Sequence, residues 1–119
     1  MLNLNSIMIG TQKQVEMTKF YEMVIGKAPD MHEEGWSGWM VGSCFLGIGE
    51  HSEMGGEAKD AGRIMFNFET KEVREEFERI KSGGATVIKE PYQMESFWIA
   101  TLADPDGNYF QLMTPWEEK

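Results

Sequence analysis

The chain has 119 residues, 41% hydrophobic and 12% aromatic, which is the length of one domain with enough apolar surface for a core. Eleven Lys and Arg against 20 Asp and Glu leave a formal net charge of −9, a field that repels nucleic acid and anionic membrane surfaces. The lone Cys44 forms no intrachain disulfide, no window approaches the ~18 apolar residues of a membrane span, and Met1 to Ser6 lack the basic and apolar regions of a signal peptide; the expectation is a soluble, cytoplasmic protein.

The first strand is predicted at Leu4–Gly10, an uninterrupted apolar-rich run. Met17, Phe20, Tyr21 and Val24 then fall on one face of a helix near 14–25, stopped by Gly26 with Pro29 beyond. Trp36–Val41 and Cys44–Gly49 read as two strands joined by Gly42-Ser43, where glycine tolerates the positive φ of a tight hairpin. His32 falls on a further short strand before them, and the polar, Gly-rich residues 50–62 read as a connection.

After that connection the order restarts. Arg63–Phe68 is strand-like, and Thr70 is placed to cap a helix near 71–82, marked by Val73, Phe77 and Ile80 and stopped by Gly83-Gly84. Strands follow at Ala85–Lys89, Phe97–Ala103 and Asn108–Met113, the last two joined by the strong turn Asp104-Pro105-Asp106-Gly107. An offset of 57 residues lays Ile7 on Ile64, Met8 on Met65, Ile9 on Phe66, Phe20 on Phe77, Gly26 on Gly83 and Ala28 on Ala85. The fold class is therefore α+β: two tandem βαβββ modules, module one about 1–50, a linker about 51–62 and module two about 63–119, within a single domain 1–119.

Leu4-Asn5-Ser6-Ile7-Met8-Ile9-Gly10, with Phe20-Tyr21 before Gly26, resembles the opening of glyoxalase/bleomycin-resistance proteins, the vicinal oxygen chelate superfamily. Ala103-Asp104-Pro105-Asp106-Gly107-Asn108-Tyr109-Phe110-Gln111-Leu112 resembles that family's closing strand pair. The resemblance covers essentially the whole chain. It implies paired, curled antiparallel or mixed sheets around a small-molecule cavity, in a homodimer. It also implies four metal-ligand positions in the metal-dependent members, which here fall on Ser6, Gly47, Arg63 and Gln111. A hydroxyl, no side chain, a permanent cation and a neutral amide do not make a site for a divalent ion, which seeks imidazole, thiolate or carboxylate. No metal and no cofactor is therefore expected at these positions. His32 and His51 lie elsewhere and read as solvated, as do Glu50 and Glu53; whether Glu50 and His51 form a metal site in the loop is left open by the sequence.

Strand alternation, with its register taken from the family's ligand positions, sorts the side chains. Ser6, Met8, Phe45, Arg63, Met65, Asn67, Tyr109, Gln111 and Met113 fall on the cavity side as ligand-binding candidates, with Gly47. Ile7, Ile9, Leu46, Ile48, Ile64, Phe66, Phe68, Phe110 and Leu112 fall on the other, uniformly apolar side, with Cys44. Extending through the hairpins adds Trp36, Met40, Trp98, Ala100 and Leu102 to the cavity side. A lining of Met, Trp and Tyr with a few polar groups suits a flat organic molecule, with Arg63 available to a carboxylate or phosphate. Three functions compete on this reading. The first is metal-free binding of a small organic molecule, with catalytic residues unassigned. The second is a divergent metal-dependent lyase, isomerase or dioxygenase of the lactoylglutathione-lyase type, which would need a metal and a carboxylate base. The third is an interaction module in which Met and aromatic side chains simply fill a core.

Overall fold

The computed structural model describes residues 1–116, divided between a first unit, Met1–Gly56, and a second that begins at Glu57. The first unit runs β1 (Ser6–Thr11), α1 (Gln14–Ile25), β2 (Met31–Glu33), β3 (Trp36–Val41) and β4 (Cys44–Glu50). The second runs β5 (Phe66–Glu69), α2 (Val73–Ser82), β6 (Thr86–Met94), β7 (Phe97–Ala103) and β8 (Tyr109–Met113). Each unit is thus a βαβββ module with a four-stranded mixed sheet, ordered β1-β4-β3-β2 and β5-β8-β7-β6. In both, the first strand is parallel to the last and the remaining pairs are antiparallel. No helix among the described residues is long and apolar enough to cross a membrane.

In the first unit α1 presents Met17, Tyr21 and Val24 to one sheet face, where Ile9, Trp39, Leu46 and Ile48 are buried with them. Each such side chain contributes roughly 1.5–3 kcal/mol on full burial. The Trp39 indole N–H is not wasted inside: it donates to the Lys27 carbonyl at 2.9 Å. The helix ends at Gly26, whose φ of +89° only glycine adopts without strain. Gly42-Ser43 turns β3 into β4 with Val41 opposite Cys44, as the sequence predicts. In the second unit Val73, Phe77 and Ile80 of α2 are buried, as are Ala100, Leu102, Phe110 and Leu112 of the sheet.

Several sequence expectations shift. Neither helix has a side-chain N-cap; instead the Thr11 hydroxyl accepts from the Lys13 N–H at 2.9 Å and the Thr70 hydroxyl from the Glu72 N–H at 3.0 Å. Thr70 therefore closes a hydroxyl turn ahead of α2 rather than capping it. These matching turns equate Thr11 with Thr70, an offset of 59 rather than 57 at the strand ends. The strand pairings agree, since Met8 opposes Gly47 as Asn67 opposes Gln111. Phe20 does not match Phe77 either: Tyr21 is fully buried, as Phe77 is, whereas Phe20 is only half-buried. β5 accordingly starts at Phe66, not at Arg63, and Ile64 lies exposed ahead of it instead of on the helix-covered face. β6 extends to Met94, past Pro91, with register shifts between Val87 and Tyr92 that accommodate the missing proline N–H.

Candidate functional site

On the face of the first sheet turned away from α1, the register aligns Ser6, Met8, Trp36, Gly38, Met40, Phe45, Gly47 and Gly49. The glycines are what let the large side chains lie flat. A Cβ on Gly38 would collide with the Phe45 ring, and Cβ atoms on Gly47 and Gly49 would come within 2.6 Å of the Met8 Sδ and 2.9 Å of its Cε. Trp36 meets Phe45 edge-on, ring centroids 5.9 Å apart. The result is a patch of thioether and aromatic surface laid over bare backbone. Met8 is 60% exposed, so this surface is available to a ligand. Ser6, Met8 and Phe45 thus share one surface, together with Trp36 and Met40.

The corresponding face of the second sheet is more polar. Asn67 opposes Gln111, which opposes Thr101, and Met113 opposes Ile99. The Gln111 amide nitrogen donates to the Thr101 hydroxyl at 3.1 Å, which fixes the side chain with its carbonyl oxygen left as an acceptor. Tyr109 lies on this face by alternation, its ring 3.4 Å from where a Cβ on Gly62 would stand. Asn67, Tyr109, Gln111 and Met113 are therefore brought together.

Trp98, Ala100 and Leu102 are not among them. Ala103 pairs with Tyr109, Leu102 with Phe110 and Ala100 with Leu112, which puts Trp98, Ala100 and Leu102 on the helix-covered face. Trp98 there receives the Arg74 guanidinium of α2, 4.6 Å from the ring centroid. The cause is the connection 104–108: the Asp104 N–H donates to the Asn108 carbonyl at 3.0 Å, closing the loop one residue away from the register assumed from sequence. The residues that sequence reasoning missed are Thr101 and Ile99, one position along from those chosen; a correct loop length would have found them. Arg63 also departs from its expected place. It lies in the bend ahead of β5, its side chain 76% exposed and its guanidinium 3.4 Å from the Asp60 carboxylate. By the hydroxyl-turn equivalence, the counterpart of Ser6 is Met65, which is exposed and just ahead of β5.

The residues at the family's four ligand positions do not fit a divalent metal. Whether Arg63 or Met65 is taken as the counterpart of Ser6, the four positions supply at most a hydroxyl, an amide oxygen and a thioether beside Gly47. Among the described residues no three His, Cys, Asp or Glu side chains converge to hold an ion. In the loop, the His51 Nδ1 accepts the Glu53 backbone N–H at 3.2 Å, so one ring nitrogen is already committed.

A family model described as a glyoxalase-like domain matches residues 6–113. Among solved structures, a glyoxalase/bleomycin resistance protein/dioxygenase family enzyme from Burkholderia phytofirmans PsJN is 27% identical, with a TM-score of 0.76 over 95% of this chain and 98% of that one. A glyoxalase-related enzyme from Fulvimarina pelagi is 15% identical, with a TM-score of 0.81 over 97% and 89% of the two chains. A glyoxalase/bleomycin resistance protein from Albidiferax ferrireducens T118 is 19% identical, with a TM-score of 0.74 over 94% and 98%. A search of curated proteins found no match.

Proposed function

The chain belongs to the glyoxalase-like family, and we propose that it is a member that binds a small organic molecule without a metal. The observation that carries this reading is the chemistry of the ligand positions. Ser6 and Gln111 are neutral, Gly47 has no side chain, and neither Arg63 nor Met65 is a ligand for a hard or borderline divalent ion. What these positions adjoin is a binding surface instead. In the first unit Met8, Phe45 and Trp36 offer polarizable apolar area to a flat ring. In the second, Asn67, Tyr109 and the free Gln111 oxygen offer hydrogen bonds to a hydroxyl or amide.

The metal-dependent enzyme is the competing reading, supported by the dioxygenase-family name of the Burkholderia structure. Against it stands the chemistry of the matched positions, which supply neither a carboxylate base nor a ligand set suited to the ion such chemistry requires. We further propose a cytoplasmic homodimer, for which exposed Met8, Met40, Met65 and Trp116 offer apolar surface to cover. Light scattering that gives a monomer mass across the micromolar range contradicts the dimer. The binding reading is tested by ligand-observed NMR with a library of aromatic hydroxy and amide compounds. Hits are expected that weaken tenfold or more in Phe45→Ala or Gln111→Leu; hits indifferent to both substitutions refute it.

A further inference from the structure

On the opposite, helix side of the first unit, a groove of about 360 Å³ runs between α1 and β2, with Gln14, Thr18 and His32 in its lining. Beneath it lies a closed polar triad. The Gln14 side-chain nitrogen donates to the Thr18 hydroxyl at 2.9 Å and to the Ser37 hydroxyl at 2.8 Å, and the two hydroxyls are 2.9 Å apart. Gln14 is 8% exposed, Thr18 7% and Ser37 0%.

Proton counting fixes the orientation of this triad. Three contacts need three protons. With the amide nitrogen inward, two come from the NH₂ and one from a hydroxyl; with the oxygen inward, only the two hydroxyl protons would serve all three. The nitrogen is therefore inward. Two groups are then left over. The Gln14 Oε1 receives no donor from the described residues, and since no fully buried polar side-chain atom among them is unpartnered, it keeps access to solvent beside the groove that Gln14 lines. One hydroxyl proton is also spare. Ser37 is completely enclosed and must spend its proton on Thr18, which leaves the Thr18 O–H free to point into the groove.

An acceptor and a donor thus belong to one immobilised amide unit: Oε1 is its carbonyl oxygen, and the Thr18 hydroxyl is hydrogen-bonded to its nitrogen. We propose that the groove is a second binding site, specific for a neutral primary carboxamide or lactam. Such a group presents its N–H and its C=O on one edge, matching Gln14 Oε1 and Thr18 O–H together. A trans peptide presents them on opposite edges, and a carboxylate has no donor. The rim favours a neutral body: Lys19 and Glu22 bring opposite charges, while Val15 and Pro29 supply apolar surface. This site stands apart from the open sheet face, and its fate is independent of the reading proposed for that face.

The test titrates benzamide, N,N-dimethylbenzamide and benzoate into isotope-labelled protein, following the Gln14 side-chain NH₂, Thr18 and His32 by NMR. Benzamide is expected to give saturable millimolar shifts at these residues, at least tenfold tighter than the dimethyl analogue or benzoate, since each lacks the donor. Thr18→Val is expected to abolish that preference while its folded state is checked by its own spectrum. Absence of saturable shifts in the wild-type protein overturns the proposal. So does equal affinity for benzamide and its dimethyl analogue, or shifts confined to Met8 and Phe45.

Discussion

Asp104→Ala removes a carboxylate that organises the whole connection between β7 and β8. Asp104 is 4% exposed. Its Oδ1 accepts the backbone N–H groups of Asp106 and Asn108, each at 2.9 Å, and its Oδ2 accepts the Asn108 side-chain amide at 2.9 Å. Hydrogen bonds to a charged acceptor contribute roughly 1.5–3 kcal/mol each, and this turn is largely shielded from water. Allowing for partial replacement by water, the loss is about 3–5 kcal/mol, a large share of the ~5–15 kcal/mol that holds a typical domain together. Asp104→Asn keeps one oxygen and the side-chain shape, so its cost is about 1–2 kcal/mol. Urea unfolding by circular dichroism, with the slopes compared, measures both. A cost for the alanine variant within ~0.5 kcal/mol of zero refutes the reasoning. Equal damage from the two variants refutes it as well, because the carboxylate would then not be the organising group.

Gly38→Ala places a methyl against the Phe45 ring and should destabilise by about 1–3 kcal/mol in the same assay, unless the ring swings out, which the Phe45 side-chain NMR signals would show. Gln111→Leu strips the Thr101 hydroxyl of its donor at 3.1 Å; an expected loss of about 1 kcal/mol separates this structural part from any loss of ligand binding. Asp30 accepts the Met40 N–H and pairs with Lys27, which together hold its carboxyl below the ordinary value of 3.8. A depressed folded pKa means stability that is present above 3.8 and lost as pH falls through the lower folded value. Asp30→Asn should therefore flatten the acid limb of the stability–pH curve, and an unchanged acid limb argues against the Asp30 contacts.

The fold was legible where local chemistry dictates it. The bounds of α1 follow from its apolar spacing and Gly26, and the β3–β4 hairpin follows from Gly42-Ser43. Trp36 and Met40 can be assigned to the open face from sequence because a two-residue hairpin fixes its own register. Strand alternation read from the sequence puts Trp98 on the wrong face because the 104–108 connection has an odd length that only its internal hydrogen bonds reveal, and one residue of slip exchanges the two faces. The 57-residue offset puts Arg63 on a strand because it is two residues short at the strand ends; the hydroxyl turns at Thr11 and Thr70 carry the equivalence there. The Gln14–Thr18–Ser37 triad left no signal, since each residue alone is ordinary and only tertiary packing joins them.

The central claim is that this glyoxalase-like chain works at its sheet face without a metal. Elemental analysis of protein purified without chelator, followed by calorimetry with nickel and zinc, tests it most directly. The expected result is a metal content far below one ion per chain and no saturable heat. One tightly held ion per chain, lost on Gln111→Ala, would contradict the claim and restore the metal-dependent enzyme.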